Sequence, residues 1–191
     1  MASKLYVKLG TMSAGKSLEL LKTADTYERN GRRVLVLIPE GAGRDGDTVV
    51  SSRIGLSHRA YPISKFDDLI YMVEMHSPDV VLIDEAQFLT AGMVKEIALG
   101  VVDGLGVPVI AFGLKTNFKG ELFEGTSALL ALADDISEIK GLCVACDRKA
   151  TMNLRFVDGK PVYDGEEVQI GDEEYKSVCR KHYYKWEEYT W

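Results

Sequence analysis

Apolar and polar positions alternate along the chain in two rhythms. Leu18, Leu21, Ala24 and Tyr27, with Leu20 beside them, recur at helical spacing within 17–30, and Gly31 follows as a stop. The run 33–38 (RVLVLI) is continuously apolar after Arg33 and ends at Pro39. Such a run reads as a strand covered on both faces. Residues 80–83 and 107–112 read the same way, and 4–9 is a further short strand. Helical patterns over 65–75 and 91–105 lie between them. Strands alternating with helices need crossover connections, which predicts an α/β fold built on a mainly parallel sheet flanked by helices.

Beyond about residue 140 this rhythm stops. Short β-like pieces such as 152–157 appear, with Asp-Gly turns at 158–159 and 164–165. The expected organisation is a nucleotide-binding α/β domain over 1–140 and a small β-rich module with an aromatic tail over 141–191.

Composition narrows the class. The 191 residues are 46% hydrophobic and 27% charged, as in a globular protein. No apolar run is long enough to span a bilayer, and the first residues, MASKLYVKLG, lack the apolar core of a signal peptide. A cytoplasmic protein with no membrane partner is expected. The net charge of −6 argues against a nucleic-acid polymer as partner and leaves room for a small anion.

Three motifs carry chemistry. GTMSAGKS (Gly10, Thr11, Met12, Ser13, Ala14, Gly15, Lys16, Ser17) fits G-x-x-x-x-G-K-[ST], between a predicted strand and a predicted helix. Glycines let successive backbone N–H groups turn inward onto phosphate oxygens, and the helix adds its positive end. Lys16 is a cation for the β- and γ-phosphates, and Ser17 is a hydroxyl for Mg²⁺. In VVLIDEAQFL an apolar strand runs straight into Asp84 and Glu85. Carboxyl ends of parallel strands face the ligand crevice. Asp84 is therefore the expected Mg²⁺ ligand, and Glu85 the group that faces an attacking hydroxyl or water. The third motif pairs CVAC with CRKH. Cys143, Cys146, Cys179 and His182 use every cysteine in a Cys₃His set, the donors of a closed, structural Zn²⁺ site.

These stretches together resemble the type II thymidine kinase family. The resemblance rests on TMSAGKS, VVSSRIGL (49–56), VLIDEAQFL ending at Leu89, FGLKTNFKGELFEGT (112–126), CVACDRKATM (143–152) and IGDEEYKSVCRKHY (170–183). In detail the chain looks most similar to enterobacterial and T-even-phage-like members. The resemblance implies a RecA-like P-loop sheet and a zinc module carrying a lasso loop. It implies transfer of the ATP γ-phosphoryl group to the 5′-hydroxyl of thymidine, and of deoxyuridine, with Glu85 as general base. It maps an organising arginine to Arg44, although GAGR (41–44) lacks the acid that many members carry before it. It places Met12, Phe88, Leu114, Phe118 and Phe123 around the nucleoside, with Val168, Ile170, Gly171 and Tyr175 on the lasso, and Gln87 with the Mg-ATP group. It further implies a homotetramer and feedback inhibition by dTTP. Two other readings stay open on the residues alone: an ATPase in which Gln87 positions water, and a zinc-ribbon nucleic-acid binder with a nucleotide switch.

Overall fold

The computed structural model describes residues 3–43, 48–165 and 174–186. Its first part is β1 (Leu5–Gly10), α1 (Lys16–Arg29), β2 (Val34–Pro39), β3 (Val49–Ser51), β4 (Ser57–Arg59), β5 (Tyr61–Ile63) and α2 (Phe66–His76). There follow β6 (Val80–Ile83), α3 (Ala91–Glu96), β7 (Val109–Leu114), α4 (Glu124–Leu132) and β8 (Asp135–Ile139). Six of these strands form one parallel sheet in the order β5-β2-β6-β7-β1-β8.

The continuous apolar runs are buried on both faces, and alternate residues feed two cores. Leu35, Leu37, Val81, Ile83, Val109 and Ala111 join α2, α3 and α4 on one face. Val36, Ile38, Val80, Leu82, Ile110 and Phe112 join Leu20, Leu21 and Ala24 of α1 on the other. Each fully buried Val, Leu, Ile or Phe among them is worth about 1.5–3 kcal/mol, so the sheet interior is the stable scaffold of the site.

The elements differ from the sequence expectation in three instructive places. The last strand of the 80–112 region begins at Val109, after Pro108, which cannot donate to a ladder. The helix expected over 91–105 is α only to Glu96 and continues as a π-helix through Ile97–Gly104. Gly100 in that stretch sits against Phe66, where an added Cβ would lie 2.8 Å from the ring. Strand β8 carries no continuous apolar run in the sequence, because four of its five residues are exposed, as befits a sheet edge.

The remaining residues form β9 (Gly141–Leu142), β10 (Lys149–Ala150), β11 (Met152–Val157), β12 (Lys160–Val162), β13 (Glu174–Val178) and α5 (Arg180–Tyr184). Asp158 and Gly159, at φ 50° and 73°, make the tight turn between β11 and β12. Leu154, Phe156, Val178 and Tyr183 pack with Cys143 and Cys179 into a separate small core. Among the described residues no helix is long and apolar enough to cross a membrane.

Candidate active site and metal centre

The sheet order creates the site. From β7 the chain passes over β1 to reach β8, so the carboxyl ends of β1, β6 and β7 open at a crossover of the sheet. Those ends are Gly10, Ile83 and Leu114, and the three motif segments leave from them.

After Gly10 the loop turns with Ser13 and Gly15 in the left-handed region, at φ 60° and 91°. Gly10 is closely confined, because a Cβ would come within 3.1 Å of the Ala14 side chain and 3.2 Å of the Ile139 carbonyl, tighter than an ordinary contact. Lys16 opens α1, is buried, and donates from Nζ to the Thr11 carbonyl at 3.2 Å. The Thr11 hydroxyl is buried with no hydrogen-bond partner among the described residues, an orphan that a ligand oxygen would satisfy.

Ser17 donates to Asp84 Oδ2 at 3.2 Å, so the hydroxyl and the carboxylate expected to share Mg²⁺ are already adjacent. This donor set fits a hard cation. Burial, and then the charge of Glu85, push the Asp84 carboxyl up from 3.8 to about 6, against the pull of the Glu85 N–H, Lys16 and Ser17. The sign of the linkage follows. The native chain holds a proton that the unfolded chain releases near 3.8, so this group favours the fold at low pH. That contribution is lost as pH rises through about 6. The ligand-free protein should therefore lose on the order of 2 kcal/mol of stability from this group between about pH 4 and pH 7. Denaturant titrations of wild type and Asp84→Asn at both pH values check this, and equal pH slopes in the two proteins would refute it.

Glu85 occupies the left-handed region at φ 49°, ψ 36°, a conformation that costs a non-glycine residue about 1 kcal/mol or more and persists only when its surroundings enforce it. Gln87 does the enforcing. Its Nε2 donates to Glu85 Oε2 at 2.6 Å, and its Oε1 accepts from the Leu114 N–H at 2.9 Å. The turn at 86–88 is braced from below by Gly125, where a Cβ would meet three carbonyl oxygens at 2.5–2.8 Å.

Phe88, exposed at the end of that turn, meets Phe123 edge to face at 5.7 Å. Phe118 is fully buried, with the Arg155 guanidinium 4.9 Å from its ring centre. Leu114 is buried at the end of β7. Met12 and Tyr175 are half-buried and share a cleft of about 500 Å³ between the phosphate loop and β13. Arg44, Val168, Ile170 and Gly171 lie outside the described residues.

The four metal-ligand candidates converge. Their donor atoms all lie within 4.8 Å of one another. Cys146 Sγ and Cys179 Sγ are 3.9 Å apart, and His182 Nδ1 is 3.3 Å and 3.5 Å from the sulfurs of Cys143 and Cys179. Tetrahedral Zn²⁺ with bonds of about 2.3 Å to sulfur and 2.0–2.1 Å to nitrogen needs sulfurs about 3.8 Å apart and S···N of about 3.5 Å. The donors fit zinc, and the sulfurs are much too far apart for a disulfide.

This candidate metal centre is tied to the phosphate loop and to Phe118 by side chains to which the sequence assigned no individual role. Asn153 of β11 is buried; its Oδ1 accepts from the Met12 N–H at 2.8 Å and its Nδ2 donates to the Thr116 carbonyl at 3.1 Å. Ser177 of β13 donates to the Met12 carbonyl. Tyr183, one residue past His182, donates to the Phe118 carbonyl at 2.6 Å. Burial pushes the Tyr183 phenol up to about 12, which keeps it a donor.

Comparison with known proteins agrees with this geometry. The family model described as "Thymidine kinase" matches residues 3–183. A thymidine kinase of Streptococcus gordonii is 51% identical over 186 residues, covering 96% of this chain and 97% of the relative. Thymidine kinases of Streptococcus pyogenes serotype M3 and Streptococcus thermophilus are each 50% identical over 185 residues, covering 95% of this chain and 97% and 94% of the relatives. These relatives are streptococcal, which corrects the expected leaning towards enterobacterial and phage members.

Proposed function

The chain belongs to the thymidine kinase family, and on that premise we propose that it transfers the γ-phosphoryl group of ATP to the 5′-hydroxyl of thymidine to give dTMP, as a type II member of the family. The observation that carries the reading is the fixed carboxylate of Glu85. It lines the same cavity as Lys16 and Ser17, beside the buried Asp84, and is held there by Gln87.

The phosphates of ATP take the 10–17 loop, where inward N–H groups, the Thr11 hydroxyl and Lys16 receive them. Ser17 and Asp84 would hold Mg²⁺, which would offset the charge of the phosphates. Glu85 orients the 5′-hydroxyl and accepts its proton. Gln87, with both ends of its amide engaged, positions Glu85, and this disfavours the hydrolytic reading in which Gln87 positions water. Met12, Phe88, Phe123 and Tyr175 offer apolar and aromatic surface to a neutral nucleoside, and Leu114 and Phe118 back them. The zinc module over 141–191 serves as the support of this acceptor side. Arg44, Val168, Ile170, Gly171, a homotetrameric state, a cytoplasmic location and feedback inhibition by dTTP complete the reading, all on the resemblance.

Thymidine-dependent ADP production tests it. With Mg-ATP, thymidine should stimulate ADP release and dTMP should accumulate one for one. Thymine differs from uracil by one methyl group, worth roughly 1–3 kcal/mol, so deoxyuridine should also be phosphorylated with kcat/KM lower by about tenfold or somewhat more. ADP release indifferent to thymidine would overturn the acceptor. Deoxycytidine used as well as thymidine would overturn the base recognition.

A further inference from the structure

The hairpin of β3 and β4 belongs to neither the sheet nor the zinc module, and its tip reaches the phosphate cavity. Its base is anchored on α1. Val50 is buried against the Leu20, Leu21 and Ala24 core, and His58 Nε2 lies 3.0 Å from Glu28 Oε1. The turn is tied as well. The Ser52 N–H donates to the Leu56 carbonyl at 2.8 Å, the Gly55 N–H donates to the Ser52 carbonyl at 3.0 Å, and Gly55 takes φ 86°. A turn braced at both levels holds what it carries in a defined place. It carries Arg53.

Arg53 lines a cavity of about 180 Å³ together with Lys16, Ser17, Ser51, Ile54 and Glu85. Arg53 also lines the larger cleft that contains Met12 and Tyr175. It therefore stands where the phosphate cavity meets the acceptor cleft. The smaller cavity falls below the roughly 300 Å³ at which pockets take a whole drug-sized molecule, and suits the end of a phosphate chain. Arg53 is exposed and has no ion pair among the described residues, Glu85 included. An arginine in that position presents donors in a rigid fork that matches phosphate oxygens two at a time.

We infer that Arg53 is a catalytic residue of this chain, whose guanidinium contacts the γ-phosphate of the bound triphosphate across the cavity from Lys16. The inference rests on the kinase reading for its kinetic consequence but not for its binding consequence. Lys16 approaches the phosphates from the loop, and Arg53 approaches from the hairpin, so charge that develops on the transferring group is met from two sides. The assignment is distinct from Arg44, which the family resemblance nominates on the segment before β3.

The test has a binding arm and a turnover arm. In the first, the affinity of Mg²⁺ with a non-hydrolysable ATP analogue is compared with that of Mg-ADP, by calorimetry, on wild type, Arg53→Ala and Arg53→Lys. Arg53→Ala should bind the triphosphate about tenfold more weakly and ADP within about twofold of wild type, with Arg53→Lys between. In the second, kcat for thymidine-dependent ADP release should fall about 100-fold in Arg53→Ala, with KM for thymidine unchanged. Leu56→Ala, at the same hairpin tip but outside the cavity, should match wild type in both arms. Thermal midpoints of the Arg53 variants should stay at the wild-type value, since the side chain is exposed. Triphosphate affinity within twofold of wild type in Arg53→Ala overturns the contact, as does an equal loss for ADP and triphosphate. If thymidine fails to stimulate wild type, the kinase reading falls, and the binding arm still decides Arg53.

Discussion

Glu85→Gln should lower kcat for thymidine-dependent ADP release by about 10²–10⁴-fold, with KM for Mg-ATP changed little. The substitution keeps shape and a carbonyl oxygen for Gln87 Nε2, so the turn at 86–88 and its left-handed residue can persist. It removes the group that would take the hydroxyl proton. Phosphoryl transfer with a loose transition state releases that proton late, which argues for the lower part of the range. A second readout separates chemistry from misfolding. Glu85 charge is the second cause of the raised Asp84 carboxyl, after burial, so in Glu85→Gln the Asp84 contribution to stability should be lost at lower pH than in wild type. A variant that keeps full turnover would leave the kinase standing and remove Glu85 as its base.

Stripping the zinc centre should have an effect as large by a different route. Structural Zn²⁺ sites bind with apparent free energies of about 10–16 kcal/mol at neutral pH, more than the small core of Leu154, Phe156, Val178 and Tyr183 can replace. The protein should carry one zinc per chain by elemental analysis. Chelation, or Cys143→Ser, should release it and abolish thymidine phosphorylation. The loss comes through contacts that the module makes with the site. Asn153 and Ser177 hold both polar groups of the Met12 backbone, and Tyr183 holds the Phe118 carbonyl. The two cores of the central sheet contain no residue of the module among the described residues, so the sheet's helical and strand signal should survive chelation. Protein free of zinc yet fully active would remove the metal from the site's support.

The two experiments fail differently. Glu85→Gln touches a half-buried side chain and leaves every backbone contact in place. Zinc loss leaves Glu85, Asp84 and Lys16 where β6 and α1 put them and loosens the acceptor side. Residual ADP release without thymidine response is thus the expected signature of zinc loss. Loss of turnover with zinc and fold retained is the expected signature of Glu85→Gln.

What could be read from residues alone was whatever is local. The apolar runs within 33–38, 80–83 and 107–112 declare strands buried on both faces, because an extended chain with four or more consecutive apolar side chains must cover both of its faces. The phosphate loop and the acids after β6 are legible because each packs its chemistry into a few consecutive residues. The Cys₃His set is legible because two short spacings exhaust the cysteines. The tertiary structure alone decided which distant groups meet. Gln87 became the clamp of Glu85 because β7 delivers the Leu114 N–H beside it. Asn153 and Ser177 became supports of the phosphate loop because β11 and β13 pair with both residues on one face. Arg53 reached the phosphate cavity because Val50 and His58 fasten its hairpin to α1. Each of these depends on packing between segments far apart in the chain. A lone buried polar residue or an exposed arginine carries no periodicity of its own, so only the folded arrangement gives it a partner.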